Sequence, residues 1–156
     1  MFFVIAAIVL AADQISKLLI RLNLAPGESV PREGFFRFTY VQNTGAVFGL
    51  SVDENIIVIV TALVILCTLV LYYRLRSSGV GITRLALWLL ASGAVGNLID
   101  RLWLGYVTDF IDIRLWHDYH WPAFNLADSA IVIGTGILAY ALISATLEGR
   151  RSASAS

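Results

Sequence analysis

Four long apolar runs divide the chain: Met1 to Ile20, Ile56 to Tyr73, Ile82 to Ile99 and Phe124 to Leu147. Each approaches the roughly 20 mostly apolar residues that a helix needs to cross a bilayer. The first is the least regular, because its uninterrupted part ends at Ala12 and Asp13 and Lys17 follow. That shortness resembles a signal-peptide core, but a basic lead and a good cleavage site are both missing, so a retained span is expected. Between the first two runs, Phe35 to Val41 sets Phe36, Phe38 and Tyr40 alternately against Arg37 and Thr39. This alternation predicts a short strand with one apolar face. Pro26, Gly27, Pro31 and Gly34 punctuate the approach to it, and Gln42 to Gly45 predicts a turn after it.

The pattern therefore predicts an all-α membrane protein: a four-helix transmembrane bundle with a small β-sheet in the first extracytoplasmic loop, lying on the membrane surface. Residues 1–149 are expected to form a single integral membrane domain. The polar tail 150–156, RRSASAS, is expected to be cytoplasmic and unordered.

Composition agrees with that solvent. Hydrophobic residues make up 58% of the chain, charged residues only 14%, and the mean hydropathy is +0.79, against about 25% charged residues in ordinary soluble domains. The net charge is zero and basic residues never exceed two in a row, so a nucleic-acid partner has no electrostatic footprint. Cys67 is the lone cysteine and lies within an apolar run, which leaves no intramolecular disulfide or thiolate metal site. Arg74, Arg76 and Arg84 flank the second and third runs, and Arg150 and Arg151 follow the fourth. The other connections hold arginines too, but over longer segments, so the positive-inside rule places both termini in the cytoplasm. The outer connections are then Arg21 to Asn55 and Asp100 to Ala123, long enough to be functional.

Candidate chemistry follows from the polar residues that the apolar runs tolerate. Asp13 and Lys17 are four apart and share a helix face; a mutual salt bridge is the plain reading. Ser16 beside Lys17 is not a serine–lysine dyad, because adjacent helix positions point about 100° apart. His117 and His120 form an H-x-x-H around Asp118, but no spaced third ligand accompanies them and Trp116, Tyr119 and Trp121 suggest an interfacial aromatic belt. No metal is expected. There is no G-x-S-x-G. What remains is five aspartates between Gly93 and Asp128: Asp100, Asp109, Asp112, Asp118 and Asp128. Carboxylates beside hydrocarbon are a functional-site hypothesis by default.

Asp128 follows Asn125 by three residues and shares its helix face near the start of the last run. Asp109 and Asp112 are also three apart, and spacing alone does not choose between them. Asp100 stands next to Arg101 and three residues after Asn97, which reads as an ion-paired structural corner. Two aspartates brought together cannot both ionise, so one keeps a proton while the other acts as a base. Such a pair can activate water against an amide; a proton or ion relay in a small transporter, or a non-catalytic scaffold, are the alternatives that also accommodate acidic residues.

In order along the chain stand DQISK at Asp13 to Lys17, NTGAVFG at Asn43 to Gly49, GNLIDR at Gly96 to Arg101, VTDFIDI at Val107 to Ile113 and FNLAD at Phe124 to Asp128. This series resembles the lipoprotein signal peptidase family. The resemblance implies a bacterial inner-membrane aspartic endopeptidase, with its site near the outer face. Its partners would be membrane lipid and a diacylglyceryl-modified prolipoprotein, cut on the amino side of the lipid-bearing cysteine. It implies Asp109 and Asp128 as the catalytic pair, with Asp13, Lys17, Asn43, Asn97, Asp100, Arg101 and Asn125 as orienting or substrate-binding residues. No cofactor is implied, and a monomer is expected. The chain departs from the family in lacking a longer basic lead, in having Thr108 where valine is frequent, and in having Ser92 where a glycine is frequent. Ser92 and Gly96 still keep small-xxx-small spacing.

Overall fold

The computed structural model describes residues 2–45, 53–75, 81–116 and 119–154. In chain order the elements are α1 (Phe2–Asn23), β1 (Ser29–Val30), β2 (Phe36–Asn43), α2 (Glu54–Leu75), α3 (Gly81–Leu104), β3 (Val107–Trp116), β4 (Tyr119–Phe124) and α4 (Leu126–Ser154). All four helices are long and apolar enough to cross a membrane. Each predicted run has become a helix, with α3 continuing to Leu104 and α4 to Ser154. The sheet expected in the first connection is present, and the second connection enlarges it. Its four strands are antiparallel in the order β1-β2-β3-β4. The C-terminal ends of α1 and α3 and the N-terminal ends of α2 and α4 lead into or out of these connections, so the sheet caps one end of the bundle.

The hub is α3, which packs against α1, α2 and α4. Half of its most apolar stretch is buried, against 6% for α2. Apolar all round and mostly exposed, α2 is suited to face lipid. Small residues let the neighbours of α3 come close. A Cβ on Gly96 would lie 2.7 Å from Asp13 Oδ2, and one on Gly93 would collide with the Ala127 carbonyl oxygen. The close approach is thus made by Gly93 and Gly96, with Ser92 buried beside them. At the far end of the same helix, Gly105 adopts φ 79° and its N–H bonds to the Arg101 carbonyl at 3.1 Å. This left-handed cap stops α3 and turns the chain directly into β3.

Two expectations need correction. The segment 150–156 is not wholly unordered, since α4 continues through Ser154; its Ser–Ala sequence contains good helix formers and no proline to stop the last turn. The alternation in Phe36 to Tyr40 also fails at its end. Phe38 pairs with Ile111 and Val41 with Asp109, so Thr39 and Tyr40 together oppose Phe110. One extra residue on β2 makes a β-bulge, and both Thr39 and Tyr40 are buried.

Candidate active site

The site begins at the start of α4. Asn125 precedes the helix as its N-cap, and its Oδ1 accepts a hydrogen bond from the Asp128 N–H at 2.8 Å. In return Asp128 Oδ2 accepts from the Asn125 N–H at 3.1 Å. This reciprocal capping pair satisfies two donors that a helix start leaves open, and it fixes Asp128 in the first turn. The other carboxylate oxygen, Oδ1, accepts from Asn97 Nδ2 on α3 at 2.7 Å.

Strand β3 supplies the second carboxylate. Asp109 Oδ1 accepts from Asn125 Nδ2 at 2.8 Å, and Oδ2 accepts from Asn43 Nδ2 on β2 at 2.9 Å. One asparagine therefore binds both Asp109 and Asp128. Asp109 is only 2% exposed. Burial pushes its carboxyl up from 3.8 to about 7 and the charge of Asp128 adds to this, against the opposing effects of the Asn43 and Asn125 hydrogen bonds and the Lys17 charge. Asp128 is half-buried and borders a groove of about 360 Å³ whose other walls are Trp121, Phe124, Ser129, Val132 and Ile133. Asn43 and Arg101 line a separate cavity of about 190 Å³.

Behind the carboxylates lies a fully buried ammonium. Lys17 Nζ meets Asp13 Oδ2 at 2.9 Å and Asp100 Oδ2 at 3.2 Å, and donates to Asn97 Oδ1 at 2.9 Å. An ammonium has only donors, so Lys17 obliges Asn97 to present its carbonyl oxygen and leaves the Asn97 amide to face Asp128. The two acids of this network reach the backbone on either side of the site. Asp13 Oδ1 accepts the Ala127 N–H at 2.8 Å, at the start of α4, and Asp100 Oδ2 accepts the Thr108 N–H at 3.0 Å, next to Asp109. A change at Lys17 would therefore be transmitted to both carboxylates.

The structure brings together Asp13, Lys17, Asn43, Asn97, Asp100, Asp109, Asn125 and Asp128. Arg101 is nearby, feeling the charges of Asp128, Asp109 and Asp100, but it does not form the corner expected with Asp100. Asp100 pairs with Lys17 and, at 3.6 Å, with Arg21, whereas Arg101 Nη1 reaches the Asn97 carbonyl at 3.4 Å. Neighbours on a helix diverge by about 100°, so Asp100 faces α1 and Arg101 does not.

Three participants went unpredicted. Arg21 donates to Thr108 Oγ1 at 3.0 Å, and Gln14 donates to Asp13 and to the Gly96 carbonyl. Asp13, Lys17 and Arg21 recur every four residues, a spacing that could have placed Arg21 on the same face. The role of Thr108, bonded through its N–H and its hydroxyl, carries no comparable signal. Asp112 stands apart in a cluster with Arg37, Thr39 and His120, while His117 and Asp118 lie outside the described residues.

Comparison with known proteins points the same way. The family described as signal peptidase (SPase) II matches residues 5–144. The chain belongs to this family. It is 45% identical to a lipoprotein signal peptidase of Moorella thermoacetica, covering 91% of this chain and 92% of that one, and 41% identical to one of Halothermothrix orenii, covering 88% and 92%. A solved bacterial membrane enzyme superposes with a TM-score of 0.79 at 32% identity, covering 93% of this chain and 88% of the other. The chain is thus a bacterial multi-pass membrane peptidase of the signal peptidase II family, acting in lipoprotein processing and signal-peptide cleavage.

Proposed function

We propose that this peptidase is an aspartic endopeptidase that cuts diacylglyceryl-modified prolipoproteins before the lipid-bearing cysteine, using Asp109 and Asp128 together. The observation that carries this reading is the shared anchorage of the two carboxylates on Asn125. Asp109, with its carboxyl near neutrality, is the proton donor to the scissile carbonyl oxygen. Asp128 takes a proton from the attacking water, whose oxygen bonds to the carbonyl carbon. The tetrahedral intermediate then breaks its C–N bond, and the proton on Asp128 passes to the leaving cysteine nitrogen. As the intermediate collapses to the new carboxyl group, its former carbonyl oxygen returns the proton to Asp109. Asn97 and Asn43 keep the two carboxylates oriented through both halves of the reaction.

Substrate recognition in this reading rests on lipid. The groove beside Asp128 is walled by Trp121, Phe124, Val132 and Ile133, side chains that suit hydrocarbon, and buried apolar surface contributes roughly 25 cal/mol per Å². Acyl chains would therefore position the peptide with few sequence-specific contacts. Both termini are placed in the cytoplasm and the sheet end at the outer face, supported by the dense arginines around α2, α3 and the end of α4. The test is to incubate the purified protein with a diacylglyceryl-modified precursor and with its unmodified twin. Cleavage of the modified form alone, abolished in Asp109→Asn and Asp128→Asn, is expected. Equal cleavage of both precursors, or full activity in either variant, contradicts the proposal.

A further inference from the structure

A second buried carboxylate on β3 ties the whole sheet together. Asp112 Oδ2 accepts from Arg37 Nη2 at 2.6 Å, Arg37 Nε at 3.1 Å and Thr39 Oγ1 at 2.7 Å, while Oδ1 pairs with His120 Nδ1 at 2.7 Å. Thr39 Oγ1 also shares a hydrogen with Ser29 Oγ at 2.9 Å. Every strand thus contributes to one cluster around a side chain that is 5% exposed. Burial alone would raise the Asp112 carboxyl, but hydrogen bonds from Thr39, His120 and Arg37, with the Arg37 charge, hold it below its ordinary value. An anionic carboxylate accepts only, which suits the donors around it.

The cluster sits where the β2–β3 register changes. Arg37 opposes Asp112 and Phe38 opposes Ile111, but beyond the bulge Val41 opposes Asp109 and Asn43 opposes Val107. Without the extra residue, pairing would continue with Tyr40 opposite Asp109 and Gln42 opposite Val107. A one-residue slip moves every side chain to the other face. Asn43 would then turn away from Asp109, and Gln42 would stand opposite Val107 in a register that no longer sets the Asn43 amide on the Asp109 carboxylate. Asp112 holds Arg37, on the regular side of the bulge, and Thr39, its first residue.

We propose that Asp112 is a positioning residue: by clamping Arg37 and Thr39 it maintains the bulge that sets Asn43 against Asp109. The proposal rests on the catalytic role of Asp109 given above. Asp109 is faced by Asn43 from β2, Lys17 from α1, Arg101 from α3 and Asp128 from α4. Loss of Asn43 removes a hydrogen bond that favours the charged carboxylate, so the limb of the pH–rate profile governed by Asp109 moves upward.

Paired cysteines read the register without relying on cleavage. In a Cys67→Ala background, Gln42→Cys with Thr108→Cys are opposite one another in the bulged register, whereas Val41→Cys with Thr108→Cys become opposite only after a slip. Cross-links need Cβ vectors that face each other. With Asp112 intact, only the first pair should form a disulfide. Asp112→Ala should shift bridging to the second pair. In chains without added cysteines it should lower kcat by about 10- to 100-fold, since small misplacements at a reacting centre cost that much. KM should stay near the original value, and the pH limb should move up. If Asp112→Ala does not fold, Asp112→Asn is read by the same criteria. An unchanged cross-linking pattern overturns the proposal, whether or not kcat falls. Failure of the unaltered protein to cut the modified precursor overturns the catalytic reading instead, while the cross-links still report on the register.

Discussion

Four carboxylates meet where β3 joins the helix bundle, and they are held in two different ways. Asp13 and Asp100 share the ammonium of Lys17. Asp109 and Asp128 are contacted, among the described residues, by amides: Asn43, Asn97 and both the side chain and backbone of Asn125. A cation within ion-pair distance offsets a carboxylate's charge and holds it in one geometry. Neutral amides orient a carboxylate without supplying a full opposing charge, and at Asp109 burial and the charge of Asp128 are then able to raise the carboxyl. The cation-held pair is suited to building and the amide-held pair to chemistry, even though Asn97 contacts both sets.

The sharpest way to break this contrast is to remove one acid from each pair. Asp109→Asn or Asp128→Asn should reduce the cleavage rate by on the order of 10⁴-fold, the scale seen when a catalytic carboxylate is lost, while thermal unfolding in the same detergent stays near the original. Lys17→Met should also lower the rate, through Asn97 and the backbone beside both carboxylates, but unlike the acid variants it should destabilise the fold. It leaves Asp13 buried without its cation and Asp100 with only the more distant Arg21, a loss of roughly 3–5 kcal/mol by the usual cost of breaking a buried pair, measured as a lowered unfolding midpoint. If Lys17→Met were as stable as the parent, the division between building and chemistry would fail.

Smaller effects are expected at the helix contacts and in the pH dependence of stability. Gly93→Ala would push a methyl group into the Ala127 carbonyl and should cost about 1–3 kcal/mol through overpacking, also read from the unfolding midpoint. The pH dependence of stability should separate the pairs as well. Asp109 binds its proton more tightly folded than unfolded, so its contribution is fully present below the ordinary value of 3.8 and is lost as pH rises through about 7. Asp109→Asn should remove that downward slope from unfolding curves recorded across this window. A slope that survives the substitution would assign it to another group.

Much of the bundle could be read from the chain because lipid imposes a length and a polarity that local sequence must meet. The four spans and strand β2 followed from runs and alternation, and Asp13 with Lys17 followed from helical spacing. The choice between Asp109 and Asp112 did not. Three residues apart on a helix they would share a side, but on β3 they point to opposite faces, and local sequence did not distinguish these cases. The family motifs selected Asp109, and the fold shows why Asp112 is otherwise engaged. The partners of Asp100 were missed because Lys17 and Arg21 are distant in sequence and meet it only through helix packing. The bulge at Thr39 and Tyr40 was missed because the alternation of FFRFTYV runs through it unbroken.

The proposed acid–base role of the buried, amide-held aspartate pair makes cleavage depend on pH. It is tested most directly by kcat for a diacylglyceryl-modified precursor measured against pH, in the unaltered protein and in Asn43→Ala. The rate should fall as pH rises through about 7, with that fall displaced to higher pH once Asn43 no longer favours the charged form of Asp109. A rate that stays level through this range, or a fall that Asn43→Ala leaves in place, would contradict it.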